Sequence, residues 1–387
     1  MSFATPALVS RLPRVGTTIF TTMSQLALEH QAINLSQGFP DFDGPQELLD
    51  RVGFYIHEGA NQYAPMSGVP LLRRAIADKL RRCYGREADL EREITVTSGA
   101  TEALFAAIAA VVSPGDEVIV FDPAYDSYEP AIELNGGRAI HLPLLPPEFR
   151  INWEAVAAAI TPRTRMIILN SPHNPTGQVL HADDITALQA LVEGTELLIL
   201  ADEVYEHIVF DQQQHLSLNR FPDLAARSFI VSSFGKTYHV TGWKVGYCVA
   251  PASLTAEFRK VHQYLTFSTS TPMQLALGDF LLANPEHDQQ LPDFYAEKRD
   301  LFNGLLQHSS FIFSPSAGTY FQLMDYAAIS DLPDTEFVQW LIREAGVAAI
   351  PLSVFYQQPP EHLRWVRFCF AKGANTLQQA AERLRAL

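Results

Sequence analysis

From residue 94 onward, short apolar runs recur along the chain with helical stretches between them. The runs predict strands at Ile94–Thr97, Glu117–Phe121, Arg138–Leu142, Met166–Asn170, Leu197–Ala201, Phe229–Ser232 and Val245–Ala250. Several are continuously apolar, as in Val118-Ile119-Val120 and Met166-Ile167-Ile168-Leu169, the pattern of strands covered on both faces. Helical spacing is clearest at Ala103–Val112, Trp153–Ile160 and Asp183–Val192. Earlier, Leu71–Tyr84 sets Leu72, Ile76 and Leu80 on one face and basic residues on the other. This alternation predicts an α/β domain built on a mostly parallel sheet, with ligands at the carboxyl ends of its strands.

Two helical stretches, Ser253–Tyr264 and around Met273–Leu282, close that domain, and Asn284-Pro285-Glu286-His287 marks the exit. Beyond it the pattern predicts a helix (Tyr295–Leu306), a strand (Thr319–Met324), a helix (Glu336–Glu344), short strands at Val347–Ile350 and Trp365–Phe370, and a last helix (Thr376–Arg385). That mixture reads as a smaller α+β domain. Residues 1 to about 33 read as an irregular arm with at most one helix near Thr21–His30, either mobile or laid across a partner subunit. Asn34–Pro45, with two glycines and two prolines, reads as a loop of fixed turns. The expected division is 1–47 (arm and part of the small domain), 48–284 (large domain) and 285–387 (small domain).

The net charge of −15 argues against a nucleic-acid or anionic-membrane surface. No apolar run approaches the roughly 20 residues of a membrane span, and Met1–Ile19 lacks the apolar core of a signal peptide. Cys83, Cys248 and Cys369 are few, odd in number and widely spaced. They read as reduced residues of a cytoplasmic protein, with neither a metal nor a disulfide framework.

Polar residues gather where the predicted strands end. After Thr97, Ser98-Gly99-Ala100-Thr101-Glu102 opens a helix; small residues there leave backbone N–H groups free for an anion, or serve as an ordinary cap. Tyr125, after Phe121, can stack on a planar ring or simply pack. In Asn170-Ser171-Pro172-His173-Asn174-Pro175-Thr176-Gly177, Asn174 is held extended before a proline, free to point its amide at a ligand. Asp202, ending an apolar strand, is either a helix cap or a carboxylate that needs a cation. Lys236 follows another apolar run and, if its proton is lost, can attack a carbonyl; Ser233 and Lys244 beside it are phosphate donors. Arg367, in the alternating run Arg364–Phe370, suits a planar carboxylate or an internal salt bridge.

Ser98–Glu102, Asn174-Pro175-Thr176-Gly177, Asp202-Glu203-x-Tyr205, Ser233-x-x-Lys236, Gly242-Trp243-Lys244-x-Gly246 and Arg367 follow one another in an order and at separations that resemble the class I/II aminotransferases of fold type I, which use pyridoxal 5'-phosphate. The resemblance spans essentially the whole chain. Asn34–Pro45, Asn61-Gln62-Tyr63-Ala64-Pro65 and Trp365–Phe370 look like the kynurenine/glutamine transaminase branch with its bacterial methionine aminotransferases.

The resemblance implies a mostly parallel seven-stranded sheet between helices, beside the smaller α+β domain. It implies that Lys236 links covalently to the cofactor and shuttles the substrate's α-proton, and that Asp202 keeps the pyridine nitrogen protonated. Tyr205 and Asn174 would bond the 3'-oxygen, and Ser98, Gly99, Ala100, Ser233 and Lys244 would hold the phosphate. Tyr125 would stack on the ring, and Tyr63 would reach the cofactor of a neighbouring subunit, making a homodimer with shared sites. Arg367 would clamp the substrate carboxylate, with Asn174 and the backbone near Gly38 in support. Phe20, with Ile19, Tyr63, Tyr125, Phe355 and Tyr356, would surround the side chain. With no second cation matched to a distal carboxylate, the expected donors are methionine, aromatic amino acids, glutamine or kynurenine, with a 2-oxo acid as acceptor. β-Elimination from cysteine conjugates on the same site is the alternative. A cofactor-sensing transcription regulator would need a basic DNA-binding domain that the chain lacks. A nicotinamide enzyme would need a G-x-G-x-x-G after an early strand, which is also absent.

Overall fold

The computed structural model describes residues 8–387; the start of the expected arm, residues 1–7, lies outside the described residues. A two-residue strand β1 (Ile33–Asn34) precedes β2 (Ile94–Thr97), β3 (Glu117–Asp122), β4 (Arg138–Pro143), β5 (Thr164–Asn170), β6 (Leu198–Asp202), β7 (Ser228–Ser233) and β8 (Gly246–Val249). These last seven form one sheet in the order β2-β8-β7-β6-β5-β3-β4. Neighbours run parallel except at β8, which is antiparallel to β2 and β7. Each strand lies within two residues of its expected bounds.

The continuous apolar runs are explained by what covers them. Ile119, Ile167, Ile199 and Ile230 face one core cluster, while Val118, Val120, Met166, Ile168, Leu200 and Phe229 face another on the opposite side. The second face takes the helix Gly99–Val111, whose Ala103, Ala106 and Ala107 are fully buried. Such small residues let its axis come close to β7 and β8, which brings its N-terminus to the strand ends.

The C-terminal part adds β9 (Phe321–Asp325), β10 (Val347–Ala348), β11 (Ile350–Pro351) and β12 (Trp365–Cys369). β11, β12 and β9 make an antiparallel sheet, and β10 pairs in parallel with β1. Val347–Ile350, which the sequence suggests is one strand, is thus divided between two partners. The helix Ile19–Glu29 buries Met23 and Ala27 in the same core as Phe337, Leu341 and Val347. From residue 19 onward, then, the N-terminal segment is built into this part of the chain. The helix expected from Tyr295 begins at His287 and accommodates Pro292 in its second turn. Another helix, Gln46–His57, is not predicted by the apolar pattern, because it buries only Leu48 and Val52 and offers too thin an apolar stripe. Among the described residues no helix is long and apolar enough to cross a membrane.

Gly246 sits where β8 meets β7 and the start of the helix at Gly99. A Cβ there would stand 2.8 Å from the Ser232 carbonyl oxygen and 2.9 Å from the Ala100 amide nitrogen. Gly246→Ala is therefore expected to destabilise the protein by about 1–3 kcal/mol. Gly304→Ala, in the Pro292-containing helix with nothing within 4 Å, is expected to stabilise it by about 0.4–1 kcal/mol. Urea unfolding curves of the two variants check both, the midpoints moving in opposite directions at constant slope.

Candidate active site

Parallel packing brings the carboxyl ends of β5, β6 and β7 to one edge, where Asn170 pairs with Asp202 in register and Ser233 ends the next strand. A cavity of about 180 Å³ opens there. Gly99, Ala100, Tyr125, Asn174, Asp202, Tyr205, Ser233, Lys236 and Lys244 all line it. Ser98 does not: its amide donates to Glu102 Oε2 at 3.0 Å, while Thr101 and Asn170, which the sequence did not single out, take places in the wall.

One end of the cavity is shaped for an anion. The Ser98 side chain leaves the first turn of the helix Gly99–Val111 uncapped. Gly99, at φ +77°, and Lys244, at φ +54°, adopt left-handed conformations. A Cβ on Gly99 would lie 3.1 Å from Lys244 Cε, so glycine is what lets the ammonium approach the helix start. Exposed N–H groups, the positive end of a helix and a lysine together make a phosphate cradle. Ser233 caps the short helix Phe234–Thr237, its hydroxyl accepting from the Gly235 amide at 3.2 Å.

Lys236, on that short helix, is half-buried and donates from Nζ to the Gly38 carbonyl at 3.1 Å. Its ammonium also lies 5.5 Å from the ring centres of Tyr205 and Tyr320. Burial, aided by the nearby Arg367 and Lys244 charges, lowers its pKa to about 8, so about a tenth of it is neutral at pH 7. Asp202 is buried at the other side, accepting from Tyr128 Oη at 2.6 Å and from the Val204 amide at 3.4 Å. Burial outweighs these bonds and raises its pKa to about 6. A cation brought against it would reverse that shift and hold the carboxylate ionised.

Arg367 is the largest of the fully buried side chains. Nη1 donates to Asn174 Oδ1 at 2.8 Å and Nη2 to the Ser36 carbonyl at 3.1 Å, while Nε has no partner. The guanidinium lies 3.9 Å over the Phe321 ring and 5.3 Å from that of Phe20. Among the described residues no carboxylate pairs with it, so the internal salt bridge left open by the sequence is not made. Asn174 is positioned by a bond from its amide nitrogen to Asn170 Oδ1 at 2.8 Å. With its own Oδ1 committed to Arg367, its side-chain NH2 remains for the cavity. Tyr205 is buried edge-on against Tyr320, 5.1 Å between ring centres, and burial raises its pKa and keeps the phenol protonated.

Gly38 lies opposite Lys236. Its carbonyl also accepts from Tyr320 Oη at 2.6 Å, and a Cβ would meet the Phe321 ring at 2.9 Å. Ile19, Tyr125, Phe355 and Tyr356 line a second cavity of about 560 Å³ that shares Tyr125 with the first. Its basic groups are engaged: Arg14 with Glu129 and Glu133, and His141 with Asp122. Tyr63 stands apart, 84% exposed against Phe267 and outside both cavities. His173 is buried on Thr176, 2.7 Å from Nδ1 to the hydroxyl, behind the Asn174 loop.

Residues 30–384 match the family described as aminotransferase class I and II. The chain belongs to that family. It is 59% identical to the methionine aminotransferase of Escherichia coli strain K12 over 98% of each chain. It is 34% identical to kynurenine–oxoglutarate transaminase 1 of Homo sapiens over 93% of each. The solved structure of Escherichia coli YbdL, reported with a methionine aminotransferase function, superposes with a TM-score of 0.97 at 58% identity, covering 99% of this chain and all of that one. The aminotransferase therefore has a fold-type I architecture and uses pyridoxal 5'-phosphate. Its cavity suits that cofactor: an anion cradle at Gly99 and Lys244, a buried carboxylate without a cation at Asp202, and between them a lysine that loses its proton readily.

In the cofactor-free aminotransferase, acetylation of Lys236 by acetic anhydride, followed by peptide mass spectrometry, is expected to rise with a midpoint near pH 8. Exposed lysines should rise near the ordinary pKa of about 10.4. A Lys236 midpoint at the exposed value would contradict the role of burial.

Proposed function

We propose that this aminotransferase transfers the α-amino group of methionine, aromatic amino acids, glutamine or kynurenine to a 2-oxo acid. The observation that carries the reading is Arg367, a buried guanidinium with no carboxylate partner among the described residues, 5.7 Å from the ring of Phe355, which lines the second cavity with Ile19, Tyr125 and Tyr356. A planar fork held by Asn174 and Ser36 is preset for an α-carboxylate. The absence of an unpaired cation around the second cavity, among the described residues, favours side chains without a distal carboxylate. The relatives named methionine aminotransferase and kynurenine–oxoglutarate transaminase point the same way.

Pyridoxal phosphate, when bound, supplies a carbonyl for amines and a ring that accepts electrons from the substrate α-carbon. In this reading Lys236 would hold the cofactor, and its neutral Nζ would take up and return the substrate's α-proton. Asp202 would pair with the ring nitrogen and keep it protonated. Tyr205 and the Asn174 NH2 would hydrogen-bond the 3'-oxygen. The first turn at Gly99 and Ala100, with Ser233 and Lys244, would hold the phosphate, and Tyr125 would pack on the ring. Phe20, against the Arg367 guanidinium, helps exclude water from the substrate carboxylate. Gly38, with its carbonyl beside Lys236, closes the substrate side.

Tyr63 contributes to the site of a second copy in a homodimer, a placement supported by its exposure beside Phe267. The division at residues 47 and 284 belongs to the same reading, supported by the pairing of β1 with β10 and by the break at Asn284 between two helices. So does a cytoplasmic location, supported by the three unpaired cysteines.

A panel of amino donors with several 2-oxo acids tests the specificity: methionine and aromatic donors should lead, and aspartate as the best donor would overturn it. Pyruvate and ammonia released from a cysteine conjugate without an acceptor would reveal β-lyase chemistry on the same site. Arg367→Gln is expected to raise KM for every donor about 100-fold or more, because it removes one partner of a buried charge pair.

A further inference from the structure

The buried side of the site carries one further polar contact, from Tyr128 to Asp202. Tyr128 opens the short helix Tyr128–Leu134 that follows β3. Its ring is buried in the core cluster that contains Val120, Ile132, Met166 and Ile168. The hydroxyl end meets Asp202, donating to Oδ2 at 2.6 Å. Tyr125 stands edge-on to the same ring, 5.7 Å between centres at 80°. One rigid side chain thus touches both the carboxylate and the aromatic ring that flank the cofactor cavity.

We propose that Tyr128 is a positioning residue for transamination: its hydroxyl holds Asp202 ionised and oriented toward the cofactor's ring nitrogen, and its ring sets the tilt of Tyr125. The proposal rests on the reading that Asp202 serves that nitrogen. Four groups act on the Asp202 carboxylate. Tyr128 and the Val204 amide donate to it, the Lys236 charge favours its ionised form, and the Glu203 charge disfavours it. Burial works against ionisation, so the donors decide how far the anion survives before the cofactor arrives. Of the two donors, Tyr128 makes the shorter hydrogen bond, 2.6 Å against 3.4 Å for the Val204 amide. Burial and the neighbouring Asp202 charge raise the Tyr128 pKa well above its ordinary value, so the phenol stays a donor throughout the working range. A hydrogen bond to a charged acceptor is stronger than one between neutral groups. Its loss should therefore cost about tenfold or more in the ionisation of Asp202.

The test compares holoenzymes of wild type, Tyr128→Phe, Asp202→Asn and the double variant. Tyr128→Phe keeps the ring and is expected to lower kcat with methionine about tenfold while changing KM less than about twofold. The acid limb of its kcat/KM profile should move up by about one pH unit, the tenfold change expressed as a pKa shift. The pH titration of the cofactor's visible band should move with it, and cofactor affinity, read by fluorescence quenching, should fall about tenfold. In the Asp202→Asn background the same substitution should add nothing, since the two residues act as a pair. Tyr128→3-fluorotyrosine, a stronger donor of nearly the same shape, should shift the limb the opposite way and keeps the test open if Tyr128→Phe folds poorly. A limb, band and affinity that stay at wild-type values in Tyr128→Phe while Asp202→Asn alters them would overturn the proposal alone. A wild-type protein without any cofactor band would overturn the reading of the site and the proposal with it.

Discussion

Burying Arg367 without a carboxylate is the constraint around which the active site is arranged. An isolated buried charge costs several kcal/mol unless hydrogen bonds and polarisable neighbours replace its water. Here Asn174 and the Ser36 carbonyl take two of the guanidinium edges, and the Phe321 ring lies 3.9 Å beneath its face. These supports come from three distant stretches of chain. The Asn174 loop belongs to the large sheet, Ser36 follows β1, and Phe321 opens β9 beside the strand that carries Arg367. The charge is tolerable only when all of them are assembled, so the fold of the C-terminal part and the geometry of the cavity are one problem.

The same economy governs Lys236 and Asp202. Each is buried enough to move toward its neutral form, the lysine downward to about 8 and the carboxyl upward to about 6. The 3.1 Å bond of Lys236 to Gly38 and the short bond of Asp202 to Tyr128 hold them in place rather than against each other. A site with a ready amine at one side, an acid at the other and a phosphate cradle at the end needs only a cationic aromatic ring to satisfy every group in it. This is why the residues fit pyridoxal phosphate so closely, and why stability and catalysis are linked here: the cofactor completes interactions the protein leaves open.

Much of this was legible in the chain. The seven strands of the large sheet were visible because strands covered on both faces are written as largely apolar runs, and three of them, β5, β6 and β7, end at Asn170, Asp202 and Ser233 in the cavity wall. Ser98 stands outside the cavity wall, and its position in the motif does not show that its amide turns to Glu102. The helix at Gln46–His57 and the divided strand at Val347–Pro351 were not visible, since neither has a local pattern strong enough to specify it. Tyr128, Tyr320 and Ser36 carried no signal at all: a core tyrosine and a backbone carbonyl look the same in sequence whether or not they touch the site.

By itself, then, the sequence determined the kind of chemistry available: a lysine, a carboxylate and a glycine-led helix start just after apolar strand runs, and an arginine within an alternating one. Local pattern carries that much because burial, helical period and turn chemistry act over a few residues. Only the tertiary structure decided that Arg367 has no carboxylate partner among the described residues, that Asn174 spends its oxygen on that guanidinium, and that Tyr128 reaches Asp202. Those facts depend on distances between stretches separated by up to hundreds of residues, and burial shifts a charge only once those stretches have closed around it.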